Sequence, residues 1–112
     1  QPWPNCAVKG VSKLILPDDL DDRRHIYNQF VIRLDKRDEL REVLKAKGIG
    51  HEVYYPVPFH EQDCFEYLYY KKGDFPASEC AAGTTLALPI YPELTLDHMK
   101  EVVDAIGDFI KG

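Results

Sequence analysis

The residues most able to do chemistry lie in one irregular stretch, HEVYYPVPFHEQ, at residues 51–62. Tyr54 and Tyr55 each carry a polar hydroxyl on an apolar ring, and the His60 imidazole can carry charge near neutral pH. The two prolines of the stretch remove backbone donors and favour a stiff, extended chain. Side chains held in this way suit contact with a polar ligand, and local packing with hydrogen bonding is the alternative explanation.

Asn28 is a fourth candidate, because it falls on the apolar face of a strand predicted at residues 25–34. A polar side chain on a buried face needs a hydrogen-bonding partner. The amide of asparagine both donates and accepts hydrogen bonds. Asn28 is therefore expected either to anchor the strand or to contact a ligand near Tyr54 and Tyr55.

The usual catalytic patterns are absent from the sequence. There is no GxSxG, P-loop, GxGxxG, HExxH or CxxC pattern. Cys64 follows His60 by four residues, which could place both on one helical turn and makes an unrelated thiol enzyme one hypothesis. The four histidines lack paired-ligand spacing, so no metal site is predicted.

Length and charge restrict the class of protein. The 112 residues predict one domain, and the net charge of -5 argues against a nucleic-acid or membrane-surface binder. Three widely spaced cysteines predict free thiols in a reducing cytoplasm. No signal peptide or membrane-spanning apolar run is recognised, and the acidic run at residues 18–22 predicts a solvated loop.

The pattern of apolar residues predicts three strands alternating with three helices after an irregular segment at residues 1–24. The first strand spans residues 25–34, and Asp35 is predicted to cap a helix at residues 36–47 that Gly48 ends. A second extended segment is predicted at residues 52–55, a helix from Pro76, a short strand at residues 86–89 and the last helix after Thr95. Residues 13–16 could form a further short strand. The final helix is predicted to bury Met99, Val102, Val103, Ile106 and Ile110. This order predicts a small α/β or α+β sandwich and leaves the strand directions open.

Four stretches together resemble the C-terminal small domain of the DegT/DnrJ/EryC1/StrS family of aminotransferases. They are HIYNQFVIR, RDELREVLKAKGI, VYYPVPFHEQDCF and GDFPASECAAGTTLALPIYPELT, and the resemblance covers residues 25 to about 110. It implies an α+β domain with a small, largely antiparallel sheet covered by helices, as in enzymes of the aspartate-aminotransferase fold. It also implies a cytoplasmic homodimer that uses pyridoxal phosphate to transfer an amino group from a donor to a nucleotide-linked keto-sugar.

In that family the large domain supplies the lysine that binds the cofactor covalently. The chain is accordingly expected to be a domain fragment, with residues 25–112 forming the small domain, no catalytic residue, no bound cofactor and no activity alone. Its expected partners are its own large domain and a second subunit. A stand-alone binding or regulatory domain is the alternative within the family.

The resemblance also assigns the four candidate side chains to the substrate side of the active site. The segment that matches Tyr54, Tyr55 and Pro56 approaches the active-site cleft in the family, which often has histidine at the position of Tyr54. Tyr55 is the first expected sugar contact and His60 the second. Asn28 is expected as a polar neighbour.

Overall fold

The computed structural model describes residues 14–112, and at its centre is an antiparallel pair of short strands. Strand β1 spans Phe30–Arg33 and strand β2 spans Thr85–Leu88, with Phe30 opposite Leu88 and Arg33 opposite Thr85. Isolated antiparallel bridges join Ile15 to Arg33 and Glu52 to Ala87. These bridges widen the pair on both edges, so the expected small antiparallel sheet is confirmed. Predictions for residues 1–13 lie outside the described residues, and the domain boundary after residue 24 stays a prediction.

Three α-helices and two 3-10 helices complete the described part of the chain. Helix α1 spans Arg37–Ala46, α2 spans Pro76–Thr84 and α3 spans Leu96–Lys111. The 3-10 helices, which we call η1 and η2, span Phe59–Glu61 and Asp63–Leu68. Helices α1 and α3 pack together, and no helix in residues 14–112 is long and apolar enough to cross a bilayer.

The hydrophobic core lies between the sheet and the helices α1 and α3. Aliphatic side chains fill it, because close packing of such groups removes most apolar area from water. Its buried members are Ile32, Leu34, Leu40, Leu44, Ile49, Val53, Leu86, Ala105 and Ile106. The predicted α+β architecture is therefore confirmed.

Strand β1 is shorter than the predicted strand at residues 25–34. The Tyr27 amide donates a 2.9 Å hydrogen bond to Nδ1 of His25, and Tyr27 has a φ of 50°. This left-handed turn breaks the alternation of faces, since a strand needs extended backbone at every residue. Ile26 is consequently 80% exposed, and Asn28 is exposed rather than placed on a buried face.

Helix α1 starts one residue later than its predicted cap implies. The Leu34 amide donates to the Thr84 carbonyl at 3.0 Å, which holds the end of β1 beside α2. Asp35 and Lys36 then form the turn into the helix, and the cap position, Lys36, makes no side-chain capping bond. The predicted Asp35 cap is therefore wrong, whereas Gly48 ends the helix with a φ of 71° as predicted.

The other two helices begin where local signals place them. Pro76 occupies the first turn of α2, where its missing amide costs no helical hydrogen bond. The Thr95 hydroxyl accepts a 3.2 Å hydrogen bond from the His98 amide and caps α3. The predicted apolar stripe of α3 is too wide, because Met99 and Val103 are 40% and 66% exposed.

The two cysteines among residues 14–112 differ in state. Cys64 is a free and exposed thiol, as predicted. Cys80, on α2, is disulfide-bonded, so the prediction of a free thiol is wrong there. The argument from cysteine usage to a reducing compartment therefore does not hold for Cys80.

Candidate substrate edge

A cavity of about 440 Å³ opens beside the proline-stiffened segment. Tyr54, Tyr55 and Phe59 line it from this segment, while Gln29 and Glu52 contribute polar groups from the neighbouring edge of the sheet. Small side chains of α2 and β2, including Ala82 and Ala87, form its floor. A mostly apolar recess with a few polar groups is the usual form of a small-ligand site.

Local structure explains why the two tyrosines face outward. Val53 is buried and anchors the segment to the core, and the chain then leaves the sheet. Pro58 is extended, with a φ of -58° and a ψ of 148°, and the Gln62 side chain donates to the Val57 carbonyl at 3.1 Å. The resulting turn leaves Tyr54 51% and Tyr55 69% exposed, so both side chains are accessible to a ligand.

Asn28 and Tyr54 border a second cavity, of about 290 Å³. Gln29 and Glu52 line this cavity too, so both polar side chains belong to both recesses. The fold therefore brings Asn28, Tyr54 and Tyr55 to one edge of the sheet. We name the five residues Asn28, Gln29, Glu52, Tyr54 and Tyr55 the substrate edge.

Sequence reasoning missed Gln29 and Glu52 as members of this edge. Alternation of faces along the predicted strand puts Gln29 on the face opposite Asn28, and nothing in the sequence marks Glu52 as more than the start of the extended segment at residues 52–55. The bridge between Glu52 and Ala87 brings Glu52 against β2. The signal that could have found Gln29 is its position beside Asn28 at the end of the strand.

Charge near Asn28 comes from two neighbouring arginines. Asn28 borders a further cavity of about 470 Å³ that Arg23 and Arg24 also line. The Arg23 guanidinium donates two hydrogen bonds to Asp22, at 2.8 and 2.6 Å, and lowers the pKa of that carboxyl below its usual value. Arg23 thus has a neighbouring counter-charge, and Arg24 is the better candidate for contact with an anionic group.

His60 lies apart from the substrate edge. Its side chain is 5% exposed and borders a separate cavity of about 240 Å³ with Phe75 and Tyr70. The ring packs against Phe75 with 4.9 Å between centroids. A direct sugar contact by His60 stays a prediction. Its ring is buried and does not line the two cavities that Tyr54 borders.

The thiol pairing of Cys64 with His60 does not form in the structure. The two residues occupy separate 3-10 helices, and Gln62 between them has extended backbone. The Cys64 thiol instead contacts Oε1 of Gln62 at 3.8 Å. Spacing of four residues brings side chains together only on a continuous helical turn, which this segment lacks.

The lysines among residues 14–112 do not fit a covalent site for pyridoxal phosphate. All seven are exposed, on helix surfaces, in loops or near the C-terminus. None lines the cavities beside the substrate edge. A lysine that binds the cofactor needs a shielded position facing the substrate, so no step of the chemistry is assigned to these residues.

The chain is similar in sequence to a family of aminotransferases. The sequence description of the DegT/DnrJ/EryC1/StrS aminotransferase family matches residues 7–107. A pleiotropic regulatory protein of Geobacillus stearothermophilus is 43% identical over 88% of this chain and 26% of its own length. The dTDP-3-amino-3,4,6-trideoxy-alpha-D-glucose transaminase of Streptomyces venezuelae is 33% identical over 92% of this chain and 27% of its own length.

A solved structure shows the same arrangement of elements. The crystal structure of S. venezuelae DesV in complex with a ketimine intermediate superposes with a TM-score of 0.85. The two sequences are 32% identical, and the match covers 93% of this chain and 28% of DesV. The chain thus spans about a quarter of the length of the relatives it matches.

Proposed function

Because the chain belongs to the DegT/DnrJ/EryC1/StrS aminotransferase family, we propose that it is the C-terminal small domain of a pyridoxal-phosphate-dependent enzyme that aminates nucleotide-linked keto-sugars. Relatives named as sugar transaminases support this substrate class. Family membership excludes the hypothesis of an unrelated thiol enzyme. The cytoplasmic location and the homodimer remain parts of this proposal.

The observation that carries the role of this domain is the exposure of Tyr54 and Tyr55 at the cavity. A tyrosine that only packed in the core would bury its ring, whereas Tyr55 is 69% exposed at a recess. The Tyr55 hydroxyl can donate and accept hydrogen bonds with sugar hydroxyls, and Asn28 and Gln29 extend the polar contacts along the sheet edge. Arg24 offers positive charge to the phosphates of a nucleotide.

The domain contributes orientation rather than proton transfer. When bound in the large domain, the cofactor supplies the electron sink for amino transfer. The prolines at positions 56 and 58 limit the conformations of the edge, which reduces the entropy lost when substrate is held. Tyr54 and Tyr55 then hold the sugar ring in one orientation and exclude water from one side of the cleft.

Large exposed apolar side chains support contact with a large domain and a second subunit. Exposed apolar patches on a domain usually mark surfaces that another protein surface covers. The members in and after the proline segment are Val57, Phe59, Tyr67, Leu68, Tyr69, Tyr70 and Phe75. We include both partner surfaces in the proposal.

The test compares Tyr55→Phe with Tyr67→Phe in the full-length enzyme. Tyr67 is 67% exposed, a fraction similar to the 69% of Tyr55. It does not line the cavities beside the substrate edge. Single-turnover rates are measured for the amino-donor and keto-sugar half-reactions. Tyr55→Phe should slow the sugar half-reaction by about tenfold, as expected for the loss of one hydrogen bond, and leave the donor half-reaction unchanged.

Tyr67→Phe keeps the apolar ring that a partner surface would cover, so it should change neither rate. If Tyr55→Phe slows both half-reactions alike, or neither of them, the assignment of the substrate edge is wrong.

A non-catalytic regulatory domain is the second candidate, and the relative named as a pleiotropic regulatory protein favours it. The two candidates differ in the donor half-reaction. An aminotransferase changes the absorption spectrum of its bound cofactor when an amino donor is added, whereas a regulatory protein that has lost catalysis does not. The same full-length protein serves for both measurements.

A further inference from the structure

His60 has a buried nitrogen that makes no hydrogen bond within residues 14–112. The residue is 9% exposed, and its Nε2 atom is fully shielded. Nε2 faces two carboxylates, with 3.6 Å to Oε1 of Glu61 and 3.7 Å to Oε2 of Glu79. Oε2 of Glu79 is likewise buried without a hydrogen bond in the described part of the chain. Burying a polar atom without a hydrogen-bond partner costs free energy of folding, so these two atoms require an explanation.

The distances are too long for hydrogen bonds and suit a shared ion. A good N–H···O bond joins atoms no more than about 3.2 Å apart. Two ligand atoms of one tetrahedral zinc ion are about 3.4 Å apart, because each lies about 2.0–2.2 Å from the metal. The three candidate ligand atoms of His60, Glu61 and Glu79 all lie within 4.8 Å of one another. Small side-chain shifts would therefore bring all three ligand atoms to bonding distance from one cation.

Neighbouring groups fix the orientation of two of these side chains. The Gly73 amide donates a 2.6 Å hydrogen bond to Oε1 of Glu79, which leaves Oε2 directed at His60. The Phe75 ring packs against the imidazole. Support of this kind orients the ligands in metal sites.

The charge and donor types select the class of ion. Two carboxylates and one neutral imidazole carry a net charge of -2, which a divalent cation neutralises. One nitrogen and two oxygen donors match zinc better than magnesium or calcium, which prefer oxygen alone. Glu61 has the more exposed side chain, at 30% against 15% for Glu79, so the open coordination position faces the solvent side.

We propose that His60, Glu61 and Glu79 form a zinc site that ties η1 to α2 behind the substrate edge. The sequence did not reveal it, because Glu79 follows His60 by 19 residues and neither belongs to a paired-ligand motif. The site performs no step of the proposed sugar chemistry. Zinc bound there holds the turn after Pro58 in place and so rigidifies the chain that carries Tyr54 and Tyr55.

The test is a zinc titration of the 112-residue chain. The chain is first treated with a chelator to strip bound metal, and the chelator is then removed. Calorimetry should show one zinc ion per chain. At free zinc 100-fold above the Kd, the melting temperature should rise by about 10 °C. Glu79→Gln keeps the shape of the side chain and should weaken binding by about 100-fold, since it removes one charged ligand from the metal.

Two control variants have matched chemistry outside the cluster. Glu101→Gln changes an exposed glutamate of α3, and His98→Gln changes an exposed histidine of the same helix. Both should bind zinc like the unmodified chain. Glu61→Gln provides a second ligand variant should Glu79→Gln disturb folding, which circular dichroism detects, and it should weaken binding by at least about tenfold.

Two results would overturn the proposal. The first is failure of the unmodified chain to bind zinc, which would indicate that the imidazole and the carboxylates only pair with one another. The second is zinc binding that Glu61→Gln and Glu79→Gln leave unchanged, which would place the ion elsewhere, for example on the Cys64 thiol. Neither result bears on the sugar half-reaction, so the proposed function is tested separately.

Discussion

The hydrophobic core and the segment at residues 54–70 use their large side chains in opposite ways. Ile32, Leu40, Leu44 and Leu86 are completely buried. The segment at residues 54–70 instead exposes most of its aromatic and aliphatic side chains, with Tyr69 reaching 91%. The core residues stand on strands and α-helices, whereas the segment is built from proline turns and two short 3-10 helices.

This difference separates the stability of the domain from its proposed role. Burial of aliphatic groups supplies most of the favourable free energy of folding. Exposed rings contribute little to that free energy and remain available for a ligand or a partner surface. Substitutions in the core should therefore act on unfolding, while substitutions along the substrate edge should act on function.

The largest expected effect is that of Leu40→Ala in the core. The Leu40 side chain is fully buried between α1 and the sheet, so its truncation removes apolar burial and leaves a cavity. We expect the free energy of unfolding to fall by about 4 kcal/mol. Urea denaturation measures it, and Leu96→Ala, at an 81% exposed position, is the control that should change little. Equal losses in both variants would contradict the division between core and surface.

Arg37→Met should have the next largest effect. Arg37 is 7% exposed, and its Nη1 donates to the carbonyls of Ala82 and Thr85 at 2.9 and 3.0 Å. The substitution keeps much of the apolar stem and leaves both carbonyls without this donor. We expect a loss of about 2–3 kcal/mol in the free energy of unfolding. Arg41→Met, on the same helix and half-buried, should cost less, and the reverse order would disprove this role of Arg37.

A smaller effect is expected from Thr95→Ala at the start of α3. The substitution removes the hydroxyl that accepts the hydrogen bond from the His98 amide. We expect a loss of about 1 kcal/mol, measured by thermal unfolding, and Thr95→Ser should retain most of the stability. If serine fails to restore it, the contribution of Thr95 comes from its methyl group rather than from the cap.

The smallest effect on stability is expected from Tyr55→Phe at the substrate edge. The Tyr55 side chain is mostly exposed, and its hydroxyl makes none of the hydrogen bonds found among residues 14–112. We expect a change within about 0.5 kcal/mol in urea denaturation, because surface substitutions seldom exceed that. A loss comparable with that of Thr95→Ala would show that the ring and its hydroxyl serve the fold rather than a ligand.

The sequence by itself predicted the three α-helices, the family and the segment whose two tyrosines line the cavity. Pro76 and Thr95 act on backbone groups within a few residues, so their positions could be inferred from local chemistry alone. The paired tyrosines and nearby prolines likewise predicted an unusual stiff segment. These features depend on neighbours in the chain, which the sequence states directly.

Only the tertiary structure decided the residues whose environment comes from distant segments. His60 is buried because Phe75 and Glu79 approach it from the start of α2, and Arg37 is buried because the junction of α2 and β2 supplies its acceptors. Ile26 matched the apolar alternation of a strand yet is exposed, since the left-handed Tyr27 turns the chain. Periodicity records which faces a regular element would have, whereas burial depends on which other elements reach those faces.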